Sequence, residues 1–132
     1  VDAAFKLHQG LGPGLLESVY ESLLAKELCR RGFQVERQTP ISFEFDGLCF
    51  DEGFRVDLLV EGTVVVELKS VETVSPVHKK QLLTYLRLLR LPVGLLVNFG
   101  SATLREGLHR IVNQLSPAES PFLRVNQSPR RS

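Results

Sequence analysis

The sequence has no Met and no Trp, and its 132 residues include only two Tyr and two Cys. The two cysteines, Cys29 and Cys49, form no CxxC pair and stand beside no cluster of histidines, so neither a disulfide framework nor a zinc site is indicated. No stretch approaches the roughly 20 apolar residues that a membrane-spanning helix needs, and no secretory leader pattern is visible. We therefore expect a protein of the reducing cytoplasm with no membrane association.

An excess of charge of either sign is also missing. Lys and Arg number 16 and Asp and Glu number 15, so composition alone marks neither a nucleic-acid-binding protein nor a membrane-surface protein. With 43% hydrophobic residues, the chain is long enough to bury a hydrophobic core. We expect one domain over residues 1–115. The Ser-, Pro- and Arg-rich segment 116–132 is predicted to be a flexible tail.

Common nucleophile and phosphate-binding motifs are absent from the sequence. No GxSxG occurs, and no His stands in a recognisable relation to either cysteine, so serine and cysteine hydrolase schemes find no support. The glycine-rich run at 10–14, GLGPG, has neither P-loop nor GxGxxG spacing and follows no predicted strand. A nucleotide-binding fold is therefore not indicated.

The spacing of apolar residues predicts a mixed α/β fold. Three helices are expected, over 1–9, 14–32 and 76–90. Ser75 and Pro76 suit the N-cap and the first position of the third helix. Strands are expected at 33–38, 41–45, 48–50, 54–60, 63–70 and 93–99. The segment 104–112 fits either a helix or a strand, and the order of elements predicts a central sheet flanked by helices.

Two of these strands, 54–60 and 64–70, are expected to form an antiparallel hairpin. A two-residue loop would mix apolar and charged residues on both faces, whereas a three-residue loop at 61–63 leaves one face apolar. Because register follows the face that must be buried, we predict the longer loop. The apolar face then pairs Val60 with Val64, Leu58 with Val66, and Val56 with Leu68. The other face pairs Leu59 with Val65, Asp57 with Glu67, and Arg55 with Lys69.

This register places two carboxylates, Asp57 and Glu67, directly opposite each other. Their Cβ atoms would lie about 5 Å apart, and such a pair is destabilising unless something neutralises it. Arg55 and Lys69 could neutralise part of the charge, and a divalent cation would do so better because Mg²⁺ binds carboxylate oxygens. The alternative is an edge hairpin with solvated charges, and the hairpin pattern alone leaves both interpretations open.

Other polar residues could join this pair. Glu17 lies in the first turn of the second helix, where the helix dipole also favours an acidic residue for structural reasons. His8 precedes the glycine-rich loop, and Gln81 and Tyr85 share one face of the third helix because they are four residues apart. A short basic cluster, which is either solvated or meets phosphates, stands just before them: His78, Lys79 and Lys80.

Taken together, these motifs resemble the PD-(D/E)XK nuclease superfamily over about Val1 to Val112. Asp57 followed by Glu67-Leu68-Lys69 after a hairpin is similar to its signature of an Asp and an ExK on adjacent strands. The run from Gln81 to Tyr85 resembles the QxxxY motif of the RecB and lambda-exonuclease branch, and the run 14–20 reproduces the GxxExxY motif of a bacterial family. Val56 replaces the Pro of the signature, and this change removes no group that takes part in the chemistry. The cysteines of iron–sulfur members are missing, so no such cluster is expected.

The resemblance implies a restriction-endonuclease-like core with a metal-dependent active site. Asp57 and Glu67 would hold Mg²⁺ or Mn²⁺ together with the Leu68 carbonyl, and Glu17 and His8 would add further ligands. Lys69 would orient or deprotonate the attacking water. The side chains that position the site or the nucleic-acid backbone would be Gln81 and Tyr85, and those that contact nucleic acid elsewhere would be Arg55, His78, Lys79 and Lys80.

The leading hypothesis is therefore a nuclease that cuts DNA, with RNA as the second choice, acting alone, as a homodimer or in a larger complex. The complete set of Asp57, Glu67 and Lys69 favours it. A second hypothesis is a nuclease-like module that binds nucleic acid or a protein partner without turnover. A third, a structural domain with a charged surface hairpin, requires Asp57 and Glu67 to be solvent-exposed and far from Glu17.

Overall fold

The computed structural model describes residues 1–115, and the predicted tail at 116–132 lies outside the described residues. The elements follow in chain order: α1 (Asp2–Leu11), α2 (Glu17–Arg30), β1 (Val35–Phe45), β2 (Leu48–Val60), β3 (Val64–Lys69), α3 (Pro76–Leu89), β4 (Val93–Asn98), α4 (Leu104–Gly107) and β5 (Leu108–Val112). The segment that fitted either a helix or a strand contains one of each. None of the helices in this part of the chain is long and apolar enough to cross a membrane.

The five strands form one mixed sheet in the order β1-β2-β3-β4-β5. Only β3 and β4 pair in parallel, because α3 carries the chain from the end of β3 back to the start of β4. The other three neighbouring pairs are antiparallel. The predicted architecture, a central mixed sheet flanked by helices, is confirmed.

A hydrophobic cluster lies on each face of the sheet. On one face α1, α2 and α4 pack on the strands through residues that include Tyr20, Leu24, Leu58, Leu68, Val97 and Leu104. On the other face α3 packs through residues that include Leu82, Leu86, Val56, Val65 and Leu96. Successive residues of β4 contribute to opposite clusters, which confirms that this strand is buried on both faces.

Four of the predicted strands merge into two long ones. The chain continues as β1 through 39–40, where the sequence suggested a break, and Pro40 is tolerated there because β1 lies at the edge of the sheet. Likewise β2 continues through 51–53, with a register shift between Ile41 and Phe43 on its partner. A Cβ atom on Gly53 would collide with the Phe43 ring, so the glycine lets that ring lie across the strand.

The β2–β3 hairpin has the predicted three-residue loop. Val60 pairs with Val64, and the described ladder ends two residues further at the pair Leu58–Val66. The described ladder therefore stops before the predicted outer pairs, and of these the pair Val56–Leu68 is wrong. In particular, Val56 packs with the cluster under α3 instead of facing Leu68 on the α2 side.

A reversal of side-chain direction within β1 and β2 explains why the outer register fails. Val35 and Leu58 pack on the α2 side, whereas Ile41 and Val56, further along the same strand pair, pack on the α3 side. Between them lies Gln38, which has a φ of 48° and interrupts the regular alternation of the strand. The pairing of charged residues thus depends on one unusual backbone conformation.

Asn98 fixes the segment that follows β3. Its side chain is fully buried, and its Oδ1 accepts hydrogen bonds from the amides of Val71 at 3.0 Å and Gly100 at 3.1 Å. Its Nδ2 donates to the Val71 carbonyl at 2.8 Å and to Ser101 Oγ at 3.0 Å. A Cβ atom on Gly100 would collide with the Val71 backbone, so the two chain segments touch directly.

Replacing Asn98 should therefore destabilise the protein. We expect Asn98→Ala to lower the free energy of unfolding by about 2–4 kcal/mol, because it leaves buried backbone groups without partners. Thr84→Ala is the matched control, since Thr84 is exposed and its hydroxyl, among the described residues, bonds the carbonyl of Lys80 in its own helix. Urea unfolding measures both, and equal stability of the two variants would contradict the role given to Asn98.

Candidate active site

Asp57 and Glu67 meet where the β2–β3 ladder ends. Asp57 Oδ2 accepts a hydrogen bond from the Leu68 amide at 2.8 Å, and Glu67 Oε1 accepts one from the Asp57 amide at 3.3 Å. The two carboxylates thus take the places that ladder carbonyls would otherwise fill, and they satisfy the two amides. Each side chain is held against the backbone of the opposite strand.

The carbonyl of Leu68 faces the same opening. The Lys69 carbonyl accepts from the Phe99 amide at 2.8 Å, on the β4 side, whereas the Leu68 amide points to Asp57 on the β2 side. The amide N–H and the carbonyl of one strand residue point toward the same neighbouring strand. The Leu68 carbonyl therefore points toward β2 beyond the last described ladder pair, beside the two carboxylates.

Burial and like charge act strongly on Glu67. Burial, followed by the negative charge of Asp57 and a hydrogen bond with it, raises the pKa of Glu67 to about 9, although Lys69 acts in the opposite direction. Without a cation, Glu67 is therefore protonated at neutral pH. Lys69 lies two residues along the same strand, so its side chain projects from the same face as that of Glu67.

Tyr85 and Gln81 reach this face from α3. The ring of Tyr85 stacks on Phe54, with centroids 4.2 Å apart and planes at 11°. Burial raises the pKa of the Tyr85 hydroxyl, and the charges of Glu67 and Asp57 raise it further, while a hydrogen bond from Gln81 opposes them. The structure thus brings the predicted pair on the helix next to the predicted carboxylates.

Glu17 lies at the start of α2, near the end of β3. It lines an exposed depression together with Leu15 and Ser70, and the Ser70 hydroxyl donates to the Leu15 carbonyl at 2.6 Å. Ser70 directly follows Lys69, so the helix start is tied to the end of the strand that carries the lysine. Glu17 itself is exposed.

His8 is engaged elsewhere in the fold. Its Nε2 lies 2.9 Å from the Ser101 carbonyl, and its ring stacks on Phe99, which in turn stacks on Tyr20 with centroids 4.3 Å apart. The Tyr20 hydroxyl donates to the Gly12 carbonyl at 2.6 Å, so this tyrosine anchors the glycine-rich loop. Within residues 1–115, no three side chains of His, Cys, Asp or Glu are grouped so that they could hold a metal ion.

The predicted nucleic-acid contacts lie on two elements, with Arg55 on β2 and the other three on α3. Arg55 is paired with Glu52, and His78 Nδ1 accepts from the Ser75 amide in the N-cap of α3. Burial lowers the pKa of His109 on β5, and the charge of Lys79 adds to this effect. Lys80, the remaining member of the cluster, is exposed on the helix.

Two residues at the site were not singled out from the sequence. Gln38 Nε2 donates to Glu21 Oε1 at 2.5 Å and to Asp57 Oδ1 at 3.1 Å, and Glu21 is buried. Glu21 follows Glu17 by four residues and so shares its helix face, which is the one sequence signal that favours it. Nothing in the residue pattern indicates Gln38.

The donor set suits a hard divalent cation. Asp57, Glu67 and the Leu68 carbonyl offer oxygen atoms alone, and Mg²⁺ is commonly held by one or two carboxylates while it keeps several waters. The raised pKa of Glu67 also reflects a crowding of negative charge that a cation would relieve. The residues present therefore fit the metal that the resemblance implies.

Comparison with known proteins identifies the family. No curated protein matches the chain. A solved structure described as "Crystal structure of SSO0001" is 23% identical with a TM-score of 0.49, and the match covers 96% of this chain and 60% of that one. The chain thus spans 60% of the length of that protein. The family model of the PD-(D/E)XK nuclease superfamily matches residues 1–111, and the chain therefore belongs to that superfamily.

Proposed function

We propose that this chain is a metal-dependent nuclease that hydrolyses phosphodiester bonds, with DNA as the first substrate to test and RNA as the second. Membership of the superfamily supports a nuclease-like function. The observation that carries the proposal is the meeting of Asp57 and Glu67 at the end of the ladder, with Lys69 on the same face. The GxxExxY and QxxxY motifs support a place in the bacterial GxxExxY family, within the RecB and lambda-exonuclease branch. A cytoplasmic site of action is proposed from the sparse, unpaired cysteines alone.

Each residue has a distinct task in this proposal. Asp57, Glu67 and the Leu68 carbonyl would hold Mg²⁺ or Mn²⁺, and Glu17 would add an acidic group from α2. A cation bound there lowers the pKa of a water molecule and offsets charge on the scissile phosphate. Lys69 orients the attacking water and contacts the phosphate as a compact cation.

The remaining predicted residues act around this centre. Gln81 and Tyr85 position the nucleic-acid backbone from α3, and Lys80 is exposed for further contact with phosphates. His8 would have to use Nδ1 as its ligand atom while its Nε2 stays on the Ser101 carbonyl. A homodimer or a larger complex would extend the short binding surface of a chain of this size.

One observation favours a second candidate function. Glu17 and His8 are not grouped with the carboxylate pair in a three-ligand site within residues 1–115. A nuclease-like module that binds nucleic acid or a protein partner without turnover would not need such a site. The intact set of Asp57, Glu67 and Lys69 nevertheless favours the enzyme.

Cleavage assays on a lysine variant test the nuclease directly. We expect the protein to cut at least one member of a panel of labelled single- and double-stranded DNA and RNA with Mg²⁺ or Mn²⁺. Lys69→Ala should lower the cleavage rate by roughly 100-fold or more, because it removes the positively charged lysine side chain that contacts the phosphate. Lys26→Ala, on the exposed side of α2, is the control that keeps the rate. If the wild type cuts nothing, the binding module is favoured, and equal cutting by wild type and Lys69→Ala would show that the site is misplaced.

The raised pKa of Glu67 predicts a pH-dependent stability. The folded protein holds this proton up to about pH 9, whereas the unfolded chain releases it near 4.5, so the metal-free protein should lose stability as the pH rises between these values. Glu67→Gln should flatten this pH dependence. Near pH 8, its free energy of unfolding should exceed that of the wild type by roughly 1–3 kcal/mol. Added Mg²⁺ should stabilise the wild type, increasingly with pH, but not the variant.

Urea unfolding with a chelator and with Mg²⁺, from pH 5 to pH 9, measures both effects. Glu36→Gln is the control, because Glu36 is exposed on β1 and should leave the pH dependence unchanged. Parallel curves for the wild type and Glu67→Gln would contradict the buried, protonated carboxyl.

A further inference from the structure

Gln38 joins two carboxylates that belong to different elements. Its Nε2 donates to Glu21 of α2 at 2.5 Å and to Asp57 of β2 at 3.1 Å. Gln38 itself has a φ of 48°, in the left-handed region that a residue other than glycine seldom adopts within a strand. Such a conformation costs free energy and is found preferentially at functional sites.

Glu21 orients the amide group of Gln38. The other carboxylate oxygen, Glu21 Oε2, accepts from Arg37 Nε at 3.3 Å and Nη2 at 3.2 Å, and Arg37 Nη2 also donates to Ser22 Oγ at 2.8 Å. The charge of buried Glu21 is thus compensated by Arg37, while Oε1 is left for Gln38. Because a carboxylate only accepts, the NH₂ end of the amide must lie between Glu21 and Asp57.

We propose that Gln38 and Glu21 are positioning residues that hold the Asp57 carboxylate in the orientation needed to bind the cation. This proposal rests on the proposed function. The Leu68 amide fixes Asp57 Oδ2 and Gln38 fixes Oδ1, so the carboxylate group cannot rotate freely. Each oxygen retains a lone pair for the metal. Partners of this kind commonly change metal affinity when they are removed.

A neutral donor suits this task better than a charged one. Arg37 is the neighbour of Gln38 in the chain, and its guanidinium could have approached a carboxylate at this site. A cation placed directly on Asp57 would cancel the charge that attracts the metal. The guanidinium is instead held on Glu21, and the amide carries the orientation to Asp57 without adding positive charge.

Substitution of Gln38 by glycine separates positioning from folding. Glycine adopts a positive φ without steric cost, so Gln38→Gly should melt near the wild-type temperature in the absence of metal. Its affinity for Mn²⁺, measured by titration calorimetry on the full chain, should fall about 10- to 100-fold. The metal concentration for half-maximal cleavage should rise by the same factor, while the rate at saturating Mn²⁺ recovers. Gln38→Asn, which also tolerates a left-handed φ but is one methylene shorter, should behave alike.

Variants of Glu21 test the second positioning residue. Glu21→Ala should weaken Mn²⁺ binding, and Glu21→Gln, which keeps one acceptor oxygen, should restore part of the loss. Glu36→Gln, on the exposed surface of β1, is the matched control and should bind Mn²⁺ as the wild type does.

The outcomes separate this proposal from the one on which it rests. Wild-type Mn²⁺ affinity in Gln38→Gly would overturn the positioning role and leave the nuclease standing. Loss of the fold in both Gln38 variants would show a purely structural contact and would overturn it as well. If the wild type binds Mn²⁺ in a Gln38-dependent way but cuts no substrate, positioning holds and the nuclease proposal fails. A wild type that binds no Mn²⁺ overturns both.

Discussion

The hydrogen bond from the Leu68 amide to the Asp57 carboxylate, at 2.8 Å, joins the fold of this protein to its proposed chemistry. The regular ladder between β2 and β3 ends at Leu58, and the next two amides would lack partners if the strands simply parted. Asp57 and Glu67 supply the missing acceptors from their side chains. In the proposed function the same oxygen atoms would bind the cation, and their hydrogen bonds to the backbone already hold them in place.

The surrounding charges preserve this negative site. Arg37 is bound to Glu21 and Arg55 is bound to Glu52, so both arginines already have carboxylate partners. Lys69 acts on Glu67 across the strand face, but burial and the neighbouring carboxylate outweigh it, and the pKa of Glu67 stays high. A sheet whose charges were only solvated at an edge would show no such shift.

Local signals in the sequence were sufficient for much of the fold, and tertiary contacts determined the rest. The three-residue loop at 61–63 follows from which face must be buried, and it was predicted correctly. The outer register was not, because Gln38 adopts a left-handed conformation that no pattern of glutamine in a strand predicts. At the site, the spacing of Asp57 and the ExK motif brought out the carboxylate pair. Glu21 was not predicted, because its burial depends on Arg37, which is sixteen residues away in the chain and lies on another element.

The position of Lys69 illustrates why the site needs the whole fold. Its own carbonyl is bonded to Phe99 of the segment after β4, and the next residue, Ser70, is bonded to the loop before α2. One residue further, Val71 is clamped by the buried side chain of Asn98. The backbone at and after Lys69 is thus held by several neighbouring segments, and none of these partners is charged. A change that loosens any of these contacts would move Lys69 relative to Asp57 and Glu67. The proposed reaction depends on the distances between these residues, so its rate would fall although every reacting group is still present.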